Sequence, residues 1–495
     1  YRRIAIEEEV DGLLFGKLTD KLLKAFGVDS RKQRLDSTHI RSNMRELHRG
    51  EIFERVIEGF LRTLRRQDRG GFRKHVKREL VDRYLKRESC GCFSCVKPSE
   101  MKRTLEGMSE DLLWLVERFR GNKRVERMTS YRMLVRVLEE QCEVVGEASE
   151  AKRVQLKKAS EVPSGSLQNP SDPDAAYDKH KGQGYQVQIM ETYQEKEGEA
   201  GLDLITYVDV EPANRSDMDS LLPAVKSTEG RGCKPEELVA DGGYGSDENV
   251  EKALKENVEV VAPANKGVSA EEERLHLDDF ELDEETGRVL RCPAGEEPVK
   301  TGCTPKGNFT ANFDREKCVV CELRDRCPVR IHAWSARLKA YPAKKMRLAC
   351  RRAQEKTEEF REKYRWRAGV EATMSRYKSQ TGVGRLRVRG MSAVRYAAKL
   401  KALGLNILRC ARAVAEGAKT SFLNYFRRKS PVLNLNTWVL HLAVPMKIKT
   451  WFHTLSPLPR LVDDFLPRHQ TWGRISLPKF GEGSGGVESD YRANL

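Results

Sequence analysis

The chain has 495 residues and carries 90 Lys and Arg against 74 Asp and Glu, a formal net charge of +16 with a pI near 9.2. That length exceeds what one hydrophobic core usually supports, so two or three structural units are expected, and the cationic excess suits a polyanionic partner. No apolar run reaches the roughly 18 residues that a membrane-spanning helix needs; the best candidate, 437–446, is interrupted by His441, so no membrane partner and a cytoplasmic location are expected.

In chain order, Leu14, Leu18, Leu22 and Phe26 recur at helical spacing, with Gly27 placed to cap the helix. Residues 34–40, Arg-Leu-Asp-Ser-Thr-His-Ile, read as a short strand with Asp36 near its middle, although an Asp before Ser-Thr also suits a turn or a cap. His39 is left without a role. Residues 44 to about 155 are dense in helical pattern, as in Ile52, Phe53, Val56, Ile57, Phe60, Leu61 and Leu64, with Arg and Lys on the polar faces. Within them Cys90, Cys92 and Cys95 lack a fourth partner, and free thiols fit better than a metal site.

From 162 to 174 the composition turns to Pro, Ser, Gly, Asn and Asp, a loop. Strands are then predicted at 184–190 and 202–210, paired antiparallel, and a helix around 217–226. Residues 237–245, Glu-Leu-Val-Ala-Asp-Gly-Gly-Tyr-Gly, place Asp241 at the end of an apolar strand before two glycines that permit a sharp turn. A further strand is expected at 258–263. Twelve cysteines in a chain with no signal peptide point to reduced thiols or metal ligands rather than disulfides. Cys292, Cys318, Cys321 and Cys327 have the character of a structural zinc site, because soft thiolates at such spacing can wrap one tetrahedral ion; Cys303 competes with Cys292.

Residues 364–378 are the most informative. At about 100° per residue, Tyr364, Arg367, Glu371 and Lys378 fall on one helix face, so a carboxylate stands between a phenol and two cations. That face suits a hard oxygen ligand for a divalent cation flanked by groups that hold phosphate. Arg385, Arg387 and Arg389 project to one side if extended and suit a phosphate backbone. A long Ala-rich helix, 392 to about 416, follows. The tail beyond 418 has no assignable pattern.

The spacing Tyr364, Arg367, Glu371, Lys378 resembles the Y-R-E-K signature of bacterial insertion-sequence transposases, in which the Glu is the last acid of an Asp-Asp-Glu triad. The resemblance covers residues 1–415. It implies a ribonuclease H-like catalytic domain, a mixed sheet whose first and fourth strands carry the two aspartates, followed after an insertion by the helix bearing Glu. Asp36, in Asp-Ser-Thr, and Asp241, in Asp-Gly-Gly-Tyr, match those positions; Ser-Asp-Pro-Asp-Ala (171–175) and Gly-Tyr-Gln-Val-Gln (184–188) resemble further landmarks of the group.

The resemblance implies that Asp36, Asp241 and Glu371 hold two Mg²⁺ (or Mn²⁺) ions for strand cleavage and strand transfer at transposon ends. Arg367, Lys378 and Tyr364 would position double-stranded DNA, terminal inverted repeats and target alike, with a homodimer on the DNA; packing against the sheet is the equal alternative for Tyr364. The cysteine pattern recurs in the family, which favours Zn²⁺ at Cys292, Cys318, Cys321 and Cys327. Because the first residue is Tyr1, the resemblance also predicts that a helical, DNA-binding N-terminal segment is missing.

The expected fold is therefore α/β, a ribonuclease H-like mixed sheet flanked by helices with an all-helical insertion and a second, cysteine-bearing one. Its units are 1–43 (first helix and strand), 44–160 (helical insertion), 161–265 (central sheet with the second Asp), 266–350 (cysteine-bearing insertion), 351–417 (Glu helix and closing helix) and 418–495 (unassigned). Two other classes stay open: a DNA-binding descendant without catalysis, and a metal-dependent nuclease that does not join strands. Short inverted repeats flanking the gene would favour the transposase.

Overall fold

The computed structural model describes residues 2–86, 97–146, 153–195, 201–264, 274–283 and 286–415; Cys90, Cys92, Cys95 and the tail from 418 lie outside them. The central sheet is mixed. Its strands are β1 (Lys32–Ile40), β2 (Gly182–Thr192), β3 (Ile205–Pro212), β4 (Glu237–Ala240) and β5 (Glu259–Val261). They lie side by side as β3-β2-β1-β4-β5, with a short strand, Ala176–Asp178, pairing the start of β2. β2 runs antiparallel to β1 and to β3, whereas β4 and β5 run parallel to β1. The strands expected at 34–40, 184–190, 202–210, 237–240 and 258–263 are all present.

Helices cover both faces of this sheet, which is why β2 is buried along most of its length instead of alternating between core and solvent. On one face Ile40, Val187 and Ile189 pack against Val370, Met374 and Tyr377 of the Ala368–Thr381 helix and against Val394, Ala398 and Leu405 of the Met391–Ala415 helix. On the other, Leu35, Met190 and Leu238 pack with Leu221, Val225 and Tyr244. The first amphipathic helix, Val10–Phe26, ends on Gly27 in the left-handed conformation at φ 60°, as the leucine spacing predicts.

Between β1 and β2 stands a helical arm with its own core. Phe53, Phe60, Leu61 and Leu64 of the Arg49–Gln67 helix close on Leu112, Leu115 and Phe119 of the Met101–Phe119 helix and on Tyr131 and Leu134 of the Thr129–Gln141 helix. The arm is not all-helical. A β-hairpin, Cys142–Val145 with Arg153–Leu156, returns the chain to the sheet. Short strands of this kind carry too few residues for a period-2 pattern to stand out beside the helices.

The segment after β5 forms a second unit: an antiparallel four-stranded sheet ordered Lys300–Cys303, Phe309–Phe313, Ala336–Tyr341, Val329–Ile331, around Phe280, Phe313, Leu338 and Tyr341. The Ala343–Glu355 helix docks it on the central sheet. Arg347 makes two bonds to Asp247 (3.0 and 2.7 Å), and Arg351 donates to the carbonyls of Gly245 and Ala262 (2.9 Å each).

One buried ion network joins these layers. Glu191 of β2, fully buried, accepts from Arg34 of β1 at 2.8 Å, from Arg409 of the last helix at 2.9 Å, and from the Thr373 hydroxyl at 2.9 and 2.7 Å. Glu191→Ala leaves the Arg409 guanidinium without a carboxylate and Arg34 with Asp203 alone (2.8 Å), and the expected cost is about 3–5 kcal/mol. A denaturant midpoint unchanged from the parent's would contradict it.

Candidate active site

β1 and β4 pair in parallel from Lys32↔Glu237 to Leu35↔Ala240. The next residues, Asp36 and Asp241, therefore stand level on neighbouring chains, where strand spacing is about 4.8 Å. Each aspartate accepts from the amide that follows it, Ser37 at 2.7 Å and Gly242 at 2.6 Å. The Asp-Gly-Gly-Tyr turn is fixed from behind, because Tyr244 is buried and its hydroxyl donates to Gln188.

Glu371 arrives on the Ala368–Thr381 helix. That helix lies close over β1 because residue 369 is glycine: a Cβ there would meet the Arg34 guanidinium at 2.0 Å. The uninterrupted helix expected over 364–378 is not formed. Instead the Glu358–Tyr364 helix passes through a 3₁₀ turn, Arg365–Arg367, before the Glu371 helix begins. Arg34 donates to the Trp366 carbonyl in that turn at 2.9 Å, so a tertiary bond overrides the regular period.

The turn aims Arg367 into the middle of the acids. One of its terminal nitrogens lies 3.1 Å from Asp36 and 3.6 Å from Asp241, and the other lies 2.8 Å from Glu371. Among the described residues no three His, Cys, Asp or Glu side chains stand at metal-holding spacing; at this site the guanidinium stands between the carboxylates. Asp36 forms the floor, with its side chain 13% exposed, while Asp241 and Glu371 line the rim at 54% and 62%. Burial raises the Asp36 pKa from 3.8 to about 6; the Ser37 amide and Arg367 oppose the rise, and the charges of Asp241 and Asp217 add to it.

The Tyr364 ring stacks on Phe360 at 5.5 Å and packs against Val261, with Arg367 near enough to act on its hydroxyl. Lys378 is half-buried, which lowers its pKa, and among the described residues it makes no ion pair. In the row at 385–389, Leu386 is buried and Arg385, Arg387 and Arg389 are exposed, the one-sided arrangement predicted. His39 contacts the Gln183 carbonyl at 3.2 Å, a structural role. Asp172 and Asp174 of the Ser-Asp-Pro-Asp-Ala stretch accept from the amides of Gly390 and Met391 at 3.0 and 2.8 Å, and Tyr185 of the Gly-Tyr-Gln-Val-Gln stretch donates to Asp172. Asp172, Asp174 and Tyr185 thus anchor the start of the last helix, while Gln188 of the second stretch holds Tyr244 behind the Asp241 turn.

Sequence reasoning missed Asp217 and Lys181. Gln188 donates to Asp217 at 3.0 Å, and Lys181 donates to Gln186 at 3.0 Å and lies 3.9 Å from Asp217. The signal was available: Gln186 and Gln188 put two amides on one face of β2 between apolar neighbours, and buried amides need partners.

In the second unit, Cys292, Cys318, Cys321 and Cys327 line one small pocket with Phe313 and Leu323. Burial and the neighbouring thiols raise the pKa of Cys318. Cys303 is exposed and does not line the pocket.

Residues 291–411 match the family model for the transposase DDE domain. The matched stretch holds Glu371, Arg367, Lys378, the arginine row and the four cysteines, while Asp36 and Asp241 precede it. A comparison with curated proteins finds no match. The chain is also similar to the piggyBac transposase in a cryo-EM structure of its synaptic complex with hairpin DNA, at 10% identity over 81% of this chain and 78% of that one; the TM-score is 0.25, too low to fix a topology.

An acid whose pKa is raised on folding binds protons more readily in the folded state, so from about pH 4 to about pH 6 the Asp36 contribution to stability falls as pH rises. Carboxyl NMR referenced to Asp36→Asn should place the Asp36 titration near 6. In Arg367→Ala the same resonance should titrate higher, because the nearest cation is gone; a lower value would contradict the electrostatic assignment.

Proposed function

We propose that the chain is a DDE transposase that cuts double-stranded DNA at transposon ends and joins the ends to a target. The observation that carries this reading is the convergence of Asp36, Asp241 and Glu371 on one cation, the Arg367 guanidinium. The transposase DDE match over 291–411 supports it independently. So does the sheet, in which Asp36 lies on β1 and Asp241 directly follows β4, in keeping with a ribonuclease H-like core.

The three carboxylates are hard oxygen donors of the kind Mg²⁺ or Mn²⁺ takes, and all three already lie against one positive charge, although they do not stand at metal-holding spacing around the guanidinium. Asp36, Asp241 and Glu371 would hold them, and when bound they supply activation of water or a DNA 3′-hydroxyl and stabilisation of the leaving oxygen. Arg367 holds the three acids in reach of one another and is the side chain best placed to exchange a carboxylate for a DNA phosphate. Lys378 and the exposed row Arg385, Arg387, Arg389 offer further cations for the strand, and alignment plus charge stabilisation is what phosphoryl transfer chiefly requires. Tyr364 braces the turn that delivers Arg367. The insertion-sequence setting and a dimer on DNA belong to the same reading.

Asp36→Asn, Asp241→Asn and Glu371→Gln are each expected to abolish Mg²⁺-dependent cleavage of a transposon-end duplex while circular dichroism and DNA affinity stay near the parent's, because an amide is a poor ligand for a hard cation. Parent-like cleavage by any one of them removes that residue from the triad. Cleavage by the parent with no strand joining would favour the nuclease reading.

The four-cysteine pocket is proposed to hold a structural Zn²⁺, since four thiolates complete a tetrahedral shell. Metal analysis should find about one zinc per chain, and a strong chelator should lower the melting temperature because such a site forms together with the fold. Zinc-free protein with parent stability would return these residues to ordinary thiols.

A further inference from the structure

We propose that the tip of the helical arm is a second DNA-contacting surface, separate from the active site, that grips the phosphates of a duplex. Its charge is the first reason. Residues 62–78 hold eight Lys and Arg against one acid, and residues 117–132 hold six against two, so these two short segments account for eleven of the chain's sixteen net positive charges.

The fold brings the two segments to one place. Arg124 donates to the Gln67 carbonyl at 2.6 Å, Arg118 contacts His75, Tyr131 donates to the Val116 carbonyl at 2.8 Å, and the rings of Phe60 and Phe119 meet at 5.5 Å. The three acids are already engaged: Asp68 accepts from the Gly71 amide, Glu126 from the Gly121 amide, and Glu117 pairs with Arg120. Arg65, Arg66, Arg69, Arg73, Lys123 and Arg127 are exposed and make no ion pair with an acid among the described residues. Like charges crowded within a Debye length of roughly 8–10 Å repel and destabilise the folded arm, a cost that a polyanion reverses.

The position of the tip fits a duplex. At the root of the arm the Arg41 amide donates to Gly384, Leu386 donates back to Arg41, and Asn43 donates to Val388, so the exposed row Arg385, Arg387, Arg389 lies beside the point where the arm leaves β1. From there the 19-residue Arg49–Gln67 helix reaches about 28 Å at 1.5 Å per residue. That length corresponds to about 8 base pairs at 3.4 Å each. A duplex lying along the arm is thus held at two points, the arginine row and the tip, with the arm setting the interval. The choice of DNA among polyanions rests on the transposase reading; the clustering of charge does not.

The test is the salt dependence of binding to a duplex of about 30 base pairs, measured in an Asp36→Asn background so that no strand is cut. Neutralising Arg65, Arg66, Arg73 and Arg127 to Gln should lower affinity and reduce the magnitude of the log–log salt slope by about 3–4 units, and the Arg65→Gln, Arg66→Gln pair by about half as much. Neutralising four exposed cations of the second unit, Lys300, Lys306, Arg330 and Lys339, should leave the slope near the parent's. A parent-like slope in both tip variants overturns the proposal, and so does an equal fall in the control, which would mean that net charge alone is felt. Cleavage by the parent is assayed separately. A parent that never cuts but has a tip-dependent slope would keep the arm surface and remove the transposase reading; a cutting parent with an unchanged tip slope would do the reverse.

Discussion

The carboxylate of Glu191 is the constraint on which the arrangement depends. It has no access to solvent, and its two oxygens are shared among a guanidinium from the first strand, another from the last helix and a hydroxyl from the helix that bears Glu371. A buried anion with fewer partners would be expensive, and with these partners it tolerates little displacement of any of them. Thr373 lies two residues beyond Glu371, so the bond that anchors Thr373 also sets the height of Glu371 above the sheet. Arg34 lies two residues before Asp36 on the same strand face. The network therefore fixes two of the three acids relative to each other without touching either.

Around that frame the site is built from opposed charges. Asp36 is buried and costly to ionise, while Asp241 and Glu371 face solvent. Arg367 reconciles the three by standing among them. Its approach depends on the short 3₁₀ turn, which in turn depends on Arg34 capturing the Trp366 carbonyl. A single arginine of the network thus fastens Glu191 with one nitrogen and shapes the delivery of Arg367 with another.

Much of this was legible in the sequence, for identifiable reasons. The strand at 184–190 declared itself by alternation and 202–210 as its antiparallel neighbour, the helix ending at Gly27 by leucine spacing, and the turn after Asp241 by its glycines. The one-sided row of Arg385, Arg387 and Arg389 followed from period two alone. What stayed hidden was tertiary in origin. The break at 365–367 looks helical residue by residue, and only a bond from a residue 332 positions away interrupts it. The roles of Asp172 and Asp174 as amide acceptors for the last helix, the Asp217–Gln188–Tyr244 chain and the lining of the pocket by Cys292 and not Cys303 all require knowing which distant segments meet. The hairpin at the base of the arm was lost among stronger helical patterns.

The order in which the network's members occur along the chain has a consequence for synthesis. Arg34 and Glu191 are made early, Thr373 late, and Arg409 near the end of the described residues. A chain still attached to the ribosome can hold both aspartates and a closed sheet while Glu191 lacks its second guanidinium and the Glu371 helix lacks its anchor. The cluster of three acids is therefore completed late in synthesis, and a product terminated before residue 371 keeps both aspartates and the five-stranded sheet without the third acid.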